Sequence, residues 1–121
     1  MSQTIAVLRA LYPNGHHDFI DLCLEEMKLH SEKNADYARE GDPLGNFKRV
    51  SEILNLWGVE LPSYAVAWVY LMKQVDAVGR MIGLDYDGQV EGIMDKLRDI
   101  SVYVKLVEIL YVEEKKNAGL S

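Results

Sequence analysis

Three acidic residues near the C-terminus recur at intervals of about one helical turn. Glu91, Asp95 and Asp99 stand at positions i, i+4 and i+8, and Tyr103 continues the row. In an α-helix this spacing places the side chains on one side, one above the other. Mg²⁺ and Mn²⁺ take oxygen ligands and commonly bridge a few carboxylates to substrate phosphates. The row therefore indicates either a divalent-cation site or an ordinary solvated helix face.

Apolar residues accompany the acids along the same helix. The opposite row has the spacing of a core face and consists of Val90, Ile93, Met94, Leu97, Ile100 and Val104. On the side of the acids, the following turns carry Val102, Leu106, Ile109 and Leu110. A helix that is apolar all round is buried on both sides. We therefore expect Asp95 and Asp99 to lie at the mouth of an interhelical cleft or a subunit interface.

Two earlier helical segments also carry polar rows. The first row is Glu26, His30, Lys33 and Tyr37, beside the apolar residues Ile20, Leu24, Met27 and Ala38. The second is Lys73, Asp76 and Arg80, with Trp68, Leu71, Val75, Val78 and Ile82 on the other side. If the rows face one another, the acids can hold a cation while Lys33 and Arg80 bind phosphate oxygens. A metal ion there can polarise a phosphoryl group and activate water, which indicates phosphoanhydride hydrolysis.

Simpler explanations of the same residues stay open. His30 can be a structural, hydrogen-bonded histidine. Asp76 and Arg80 can form a surface ion pair of a few tenths of a kcal/mol. Tyr37 and Tyr103 can stack on a base or simply pack against neighbours.

Turn signals divide the chain into helical segments. The periodicity predicts a short helix over 3–11, then helices from about His17 to Glu40, Leu44 to Trp57, Ser63 to Ile82, and a last helix to about Glu113. Pro13-Asn14-Gly15, Gly41-Asp42-Pro43, Gly58 and Gly83 mark the ends, with Ser63 as an N-cap. The short connections favour an all-α, four-helix antiparallel bundle. We expect one domain over 1–121, with its core at about 16–113 and a frayed tail at 114–121.

The amino-acid composition argues against several kinds of partner and compartment. The chain has 121 residues, 49% hydrophobic and 26% charged, and a net charge of -6, which argues against a nucleic-acid partner. The single cysteine, Cys23, fits a reducing compartment. No apolar run is long enough for a signal peptide or a membrane span, so we expect a cytoplasmic protein with no membrane partner. The P-loop and dinucleotide-binding glycine motifs are absent from the sequence.

Several separated motifs resemble those of small phage-encoded proteins associated with nucleotide modification. The shared positions are Lys33, Asn34, Asp36 and Tyr37; Asp42, Pro43, Asn46 and Phe47; Asp76 and Arg80; and Glu91, Asp95, Leu97, Asp99 and Tyr103. The resemblance covers about residues 26–110. It implies a role in phage nucleotide metabolism, in the cytoplasm of the host.

More remotely, the segment DKLRD is similar to the E-E-L-G-D segment of MazG-like all-α nucleoside triphosphate pyrophosphohydrolases. Those enzymes cleave between the α- and β-phosphates with Mg²⁺ or Mn²⁺. Asp99 matches their final metal-binding acid and Asp95 the first acid of the segment, whereas Lys96 occupies the position of the usual ligand. Glu26 matches the first acid of the partner motif E-x-x-E, whose second acid falls at Leu29.

This resemblance implies a pyrophosphohydrolase that converts a purine deoxynucleoside triphosphate, such as dGTP or dATP, to the monophosphate and pyrophosphate. The expected metal ligands are Glu26, Glu91, Asp95 and Asp99. The catalytic residues are Asp95, Asp99 and Lys33, and the remaining substrate contacts are Arg80, Asn46, Tyr37, Tyr103 and His30. The many all-round apolar turns favour a homodimer or homotetramer. Two alternatives stay open: a non-catalytic protein that binds or sequesters a nucleotide, and a helical interaction protein.

Overall fold

The computed structural model describes residues 2–35, 44–88 and 92–119. These residues are all-α, as the sequence predicts. The helices are α1 (Ser2–Leu11), α2 (His17–Lys33), α3 (Gly45–Leu56), α4 (Ser63–Leu84) and α5 (Ile93–Asn117). Contacts group the chain into two compact units, Met1–Asp36 and Tyr37–Ser121. The expectation of one domain over 1–121 stays a prediction. In the described part, no helix combines the length and the apolar character that crossing a membrane requires.

Some residues that the sequence-based predictions name lie outside the described residues. They are Asp36, Tyr37, Ala38, Asp42, Pro43, Val90 and Glu91. Their predicted roles stay predictions.

The first unit contains the helical hairpin of α1 and α2. The predicted turn at Pro13-Asn14-Gly15 joins them, and Gly15 has a φ of 146°, which glycine adopts without a steric penalty. Arg9 of α1 donates to both carboxylate oxygens of Asp21 of α2 at 3.0 Å. No residue of α2 is buried, because α1 covers only part of its apolar row. Ile20 and Leu24 are half-buried, whereas Met27 is exposed.

Helix α2 ends at Lys33, which is earlier than the predicted end at Glu40. The side-chain amide of Asn34 donates to the carbonyl of His30 at 2.8 Å, and the backbone N–H of Asn34 donates to the same carbonyl at 3.0 Å. Asparagine side chains compete in this way with helical hydrogen bonds, which favours a helix end.

Helices α4 and α5 form an antiparallel hairpin in the second unit. The ring of Tyr64 lies 5.1 Å from that of Tyr111, and the ring of Tyr70 lies 6.4 Å from that of Tyr103, so the two helices run in opposite directions. The residues buried in α4 are Val66, Ala67, Leu71, Val78 and Met81. They recur at the spacing of one helix face, which is the face that packs against α5. Leu110 of α5 is 1% exposed.

Helix α3 packs across one end of this hairpin. Leu44 and Phe47 are buried in one cluster with Val66, Ala67 and Leu110. The ring of Phe47 lies 5.5 Å from Tyr70 and 6.2 Å from Tyr103, in edge-to-face geometry. Such aromatic pairs contribute about 0.5–1.5 kcal/mol beyond their buried area. The core of the second unit therefore lies where α3 meets the start of α4 and the second half of α5.

The predicted stop at Gly58 is confirmed. Gly58 has a φ of 80°, and its N–H donates to the carbonyl of Asn55 at 3.0 Å. The N–H of Val59 donates to the carbonyl of Leu54 at 2.9 Å, which completes a Schellman motif.

Three other predicted helix ends are wrong. Pro62, rather than Ser63, is the N-cap of α4, and Ser63 is its first residue. Helix α4 continues through Gly83 to Leu84 and ends at Asp85, whose φ is 52°. Helix α5 continues into the predicted tail as far as Asn117, and Lys115 and Lys116 in its last turn favour this because cations stabilise helix C-termini.

The predicted core face of α5 is wrong in part. From that row, Ile93 and Ile100 are half-buried, whereas Met94, Leu97 and Val104 are exposed, at 58%, 44% and 44%. The packed side also contains Asp99, Tyr103 and Leu106, which are half-buried, and the buried Leu110. In α4, Leu71 and Val78 are buried as predicted, whereas Trp68, Val75 and Ile82 are exposed. The hairpin therefore buries one of two apolar rows on each helix.

Candidate functional site

Helical geometry divides the hairpin into two sides. Successive residues of an α-helix advance by about 100°. On α4, a residue that directly precedes one facing α5 therefore lies on one side of the hairpin, and a residue that directly follows one facing α5 lies on the other side. The same holds for the residues of α5 that face α4. Because the two helices are antiparallel, the preceding residues of both helices lie on the same side of the hairpin. We call this the acid side; its polar residues include Lys73 and Arg80 of α4 and Asp95, Arg98 and Lys105 of α5.

Asp99 lies between the acid side and the face that meets α4. It is half-buried, one turn after Asp95. Asp95 is more open, with 58% of its side chain exposed, and its Oδ1 lies 3.7 Å from Nη1 of Arg98. Arg98 therefore supplies positive charge next to one of the two carboxylates. At this exposure the ion pair contributes less than about 1 kcal/mol, so a stronger ligand can displace it.

Two basic residues of α4 lie on the acid side with these carboxylates. The pairing of Tyr70 with Tyr103 sets the register, so Lys73 is within one turn of the level of Asp99, and Arg80 is within one turn of the level of Asp95. Both side chains are exposed. The acid side thus combines carboxylates for a cation with cationic groups for the phosphates that such a cation accompanies.

An aromatic cluster lies at the α3 end of the acid side. It consists of Phe47, Tyr70 and Tyr103, whose rings meet in edge-to-face pairs. Asn46 is the residue before Phe47 and is half-buried. The structure therefore brings the predicted substrate residues Asn46 and Tyr103 to the same end of the second unit.

The predicted site residues of the first unit lie on α2. Glu26 and His30 are half-buried, and Lys33, in the last turn, is exposed. Nδ1 of His30 lies 3.0 Å from the side-chain nitrogen of Asn34. This contact agrees with a structural role for His30 at the helix end. Tyr37 and Glu91, the remaining site residues, are among the residues that the structure leaves undescribed.

A second group of potential metal ligands occurs at the start of α2. Across residues 2–35, 44–88 and 92–119, the group of three His, Cys, Asp or Glu residues with ligand atoms close together is His16, His17 and Asp18. All three are exposed. Nδ1 of His16 accepts from the backbone N–H of Asp18 at 3.1 Å, so this ring acts as the N-cap of α2. We assign the cluster to capping rather than to metal binding.

Three cavities are described within the units. One of about 740 Å³ lies along α1 and α2 in the first unit and is lined mainly by apolar side chains such as Leu8, Phe19 and Met27. Another of about 440 Å³ lies at the turn between α4 and α5, beside Asp85, Asp87 and Met94. A third of about 340 Å³ lies in the second unit beside Ser51, Leu61 and Glu114. None of these three cavities is lined by Asp95 or Asp99.

Sequence analysis missed Lys73 and Arg98 as residues that lie beside the predicted carboxylates. Lys73 was assigned to a polar row but not to the site, although its distance of seven residues from Arg80 puts both on one helix side. Arg98 stands three residues after Asp95, a spacing at which helical side chains meet. Both signals are present in the sequence, but their use requires knowing which side of each helix is packed.

Comparisons with models of protein families, with curated proteins and with solved structures found no match to this chain. The site is accordingly interpreted from its own residues.

Proposed function

We propose that the chain is a metal-dependent nucleoside triphosphate pyrophosphohydrolase that releases the monophosphate and pyrophosphate. The observation that supports this is the acid side of the hairpin, where Asp95 and Asp99 lie with Lys73 and Arg80. The purine deoxynucleotide substrate, such as dGTP or dATP, the role in phage nucleotide metabolism and the MazG-like four-helix architecture are parts of the same proposal and come from the resemblance of the sequence.

The donor set fits Mg²⁺ or Mn²⁺. Mg²⁺ keeps several waters and is usually bound by one or two carboxylates together with substrate phosphates. Asp95 and Asp99 provide two carboxylates one turn apart, and Glu91 precedes Asp95 by another four residues. When bound, such an ion polarises the phosphoryl group and lowers the pKa of water. The carboxylates of Asp95 and Asp99 would hold it.

The basic residues have a separate role in this proposal. Lys73 and Arg80 neutralise negative charge on the triphosphate, and the guanidinium of Arg80 can bind two phosphate oxygens at once. Tyr103 and Asn46, at the aromatic end of the acid side, contact the nucleoside. The roles predicted for Glu26, His30 and Lys33 stay predictions that the same assay tests.

Two observations support other functions. The exposed side chains of Lys73 and Arg80 and the pairing of Asp95 with Arg98 are also what a non-catalytic nucleotide-binding protein would show. The exposed apolar residues of α4 and α5, including Trp68 and Ile82, instead favour a helical interaction protein.

The decisive experiment is a product assay of the purified chain with ribo- and deoxynucleoside triphosphates, in Mg²⁺, in Mn²⁺ and in chelator. We expect monophosphate and pyrophosphate only in the presence of metal. Asp99→Asn keeps the shape of the side chain but removes its charge, and we expect it to reduce turnover at least a hundredfold. The matched control is Asp85→Asn, because Asp85 is exposed outside the site and Asn tolerates its left-handed conformation.

The products distinguish the alternatives. Diphosphate and inorganic phosphate would show that a different bond is cleaved. Nucleotide binding without turnover, unchanged in Asp99→Asn, would identify a binding protein. A folded chain that neither binds nor hydrolyses any nucleotide in the panel would leave the interaction protein as the better description.

A further inference from the structure

The side of the hairpin opposite the acid side is apolar and exposed. On α4 it comprises the residues that follow those facing α5, namely Trp68, Met72, Val75, Gly79 and Ile82. On α5 it comprises Leu97, Val104 and Tyr111, which are exposed, and Ile100 and Val107, which are half-buried, with Val107 also packed against the core cluster. We call this set the apolar face. Trp68 is 52% exposed and Ile82 66% exposed. Contiguous apolar surface of this kind marks an interaction site more often than a free surface.

The spacing on α4 is that of a helix that packs against another helix. Trp68, Met72, Val75, Gly79 and Ile82 follow one another at intervals of four, three, four and three residues. This is the spacing of the a and d positions of a heptad, whose side chains interlock with those of a facing helix. The row that packs on α5 already accounts for the intramolecular contact, so this second row is available for another helix.

Gly79 supports the same conclusion. A glycine inside a helix is destabilising relative to alanine. Within the described residues, nothing outside the local helix lies within 4 Å of the position that a Cβ would occupy at Gly79. The described residues therefore give no steric reason for a glycine there. Small residues allow the backbones of two packed helices to approach closely, and a partner helix would use this space.

We propose that the apolar face binds the apolar face of a second copy of this chain. The residues of the face are all uncharged, and the ammonium of Lys115, 5.1 Å from the centre of the Tyr111 ring, lies only at its α5 edge, so the partner surface must be mainly apolar, which a second copy provides. A two-fold axis would pass near Val75 and pair the two α4 helices in antiparallel orientation. Trp68 of one copy then lies opposite Ile82 of the other, and Met72 lies opposite Gly79. A long, flexible side chain thus meets the residue with no side chain.

The area is sufficient for a specific dimer. The face extends from about residue 64 to 82 on α4, which is about 27 Å at 1.5 Å per residue. Two helices packed at 8–10 Å present a width of about 20 Å. Two copies would cover about 1,100 Å² in total, above the roughly 1,000 Å² expected of a specific interface. This inference does not depend on nucleotide hydrolysis.

The first test compares two valines of α4. Val75, 41% exposed, lies at the centre of the face, and Val69, 53% exposed, lies off it. We expect sedimentation velocity to show a dimer for the unmodified chain and for Val69→Glu. Val75→Glu should raise the dimer dissociation constant at least a hundredfold, because it places a charge in an apolar interface. Circular dichroism checks that both variants are folded. A monomeric unmodified chain, or a Val75→Glu variant that still dimerises, would refute the proposal.

The second test examines the register. In a chain carrying Cys23→Ser, the substitution Val75→Cys should place the new thiol next to the same thiol of the second copy across the two-fold axis. Oxidation should then link the two chains by a disulfide. Val69→Cys is the control and should stay unlinked. In addition, Gly79→Ala should weaken dimerisation at least fivefold although alanine is the better helix former. Equal crosslinking at the two positions, or unchanged dimerisation in Gly79→Ala, would rule out this arrangement of α4 helices.

Discussion

The two sides of the α4–α5 hairpin differ in what covers them. On the acid side, α3 packs Phe47 against Tyr70 and Tyr103 and covers one end, while the charged residues lie along the open remainder. On the apolar face, Trp68, Val75 and Ile82 are exposed. Within the described residues of the second unit, the side that carries charge is thus the side that α3 partly covers.

The contacts that stabilise the hairpin are therefore distinct from the two outer sides, which can serve other purposes. Burial of Val66, Val78 and Leu110 between the helices stabilises the hairpin, so neither outer side is needed for that purpose. The acid side can then hold charged groups in partial contact with water, where their ionised forms cost little to maintain. The exposed apolar residues Trp68, Val75 and Ile82 gain nothing from contact with water, which agrees with the proposal that a second copy binds there.

The largest expected effect contrasts a covered aromatic residue with an exposed one. Phe47 is 4% exposed, and Phe47→Ala should lower the free energy of unfolding by about 3–5 kcal/mol through lost burial and a cavity. Trp68 is 52% exposed, and Trp68→Ala should cost about 1 kcal/mol at concentrations where the chain is monomeric.

Urea unfolding measures both variants, and it should be repeated at higher protein concentration. There the cost of Trp68→Ala should grow, because binding of a second copy stabilises the folded state. Equal costs for the two variants in the dilute monomer would show that the two sides are covered to the same extent.

Sequence patterns were sufficient to predict that the described residues are helical and where most helices begin. The helix boundaries were predicted from turn residues: Pro13-Asn14-Gly15 separates α1 from α2, and Gly58 ends α3. Helix ends that depend on side-chain competition were missed, as at Asn34, because the same residue type is also tolerated within helices.

The sequence could not show which apolar row of α5 is packed. Leu97 and Val104 belong to one row, Leu106 and Leu110 to the other, and both rows have helical spacing. Spacing gives the angle between rows but not the identity of the neighbouring element. The choice depends on contacts distant in sequence, above all those of Phe47 with Tyr103. For the same reason, Lys73 was not assigned to the site.

An intermediate effect is expected at the turn that joins the two helices. Oδ1 of Asp87 accepts from the backbone N–H of Ile93 at 2.8 Å, at the first residue of α5. A carboxylate there satisfies a free N–H and interacts favourably with the helix dipole. Asp87→Ala should therefore cost about 1 kcal/mol, within the range of 0.5–2 kcal/mol for lost caps.

Thermal or urea unfolding measures this cost, and Asp87→Asn, which can still accept the hydrogen bond, should recover most of it. This variant sharpens the comparison of the two sides because the turn helps fix the register of α5 on α4. If Asp87→Ala is as stable as the unmodified chain, the start of α5 is held by the packing of the hairpin alone.

The smallest expected effect concerns the charged contact between α3 and α5 on the covered side. Nζ of Lys48 lies 3.2 Å from Oε2 of Glu113, and the two side chains are 39% and 45% exposed. Exposed ion pairs of this kind contribute about 0.2–1 kcal/mol and weaken with salt. A double-mutant cycle with Lys48→Met and Glu113→Gln should give a coupling energy in that range at low salt and close to zero in 1 M NaCl. A coupling above about 2 kcal/mol that persists in 1 M NaCl would mean that the pair is shielded from water. In that case α3 covers the acid side more completely than the side-chain exposures indicate.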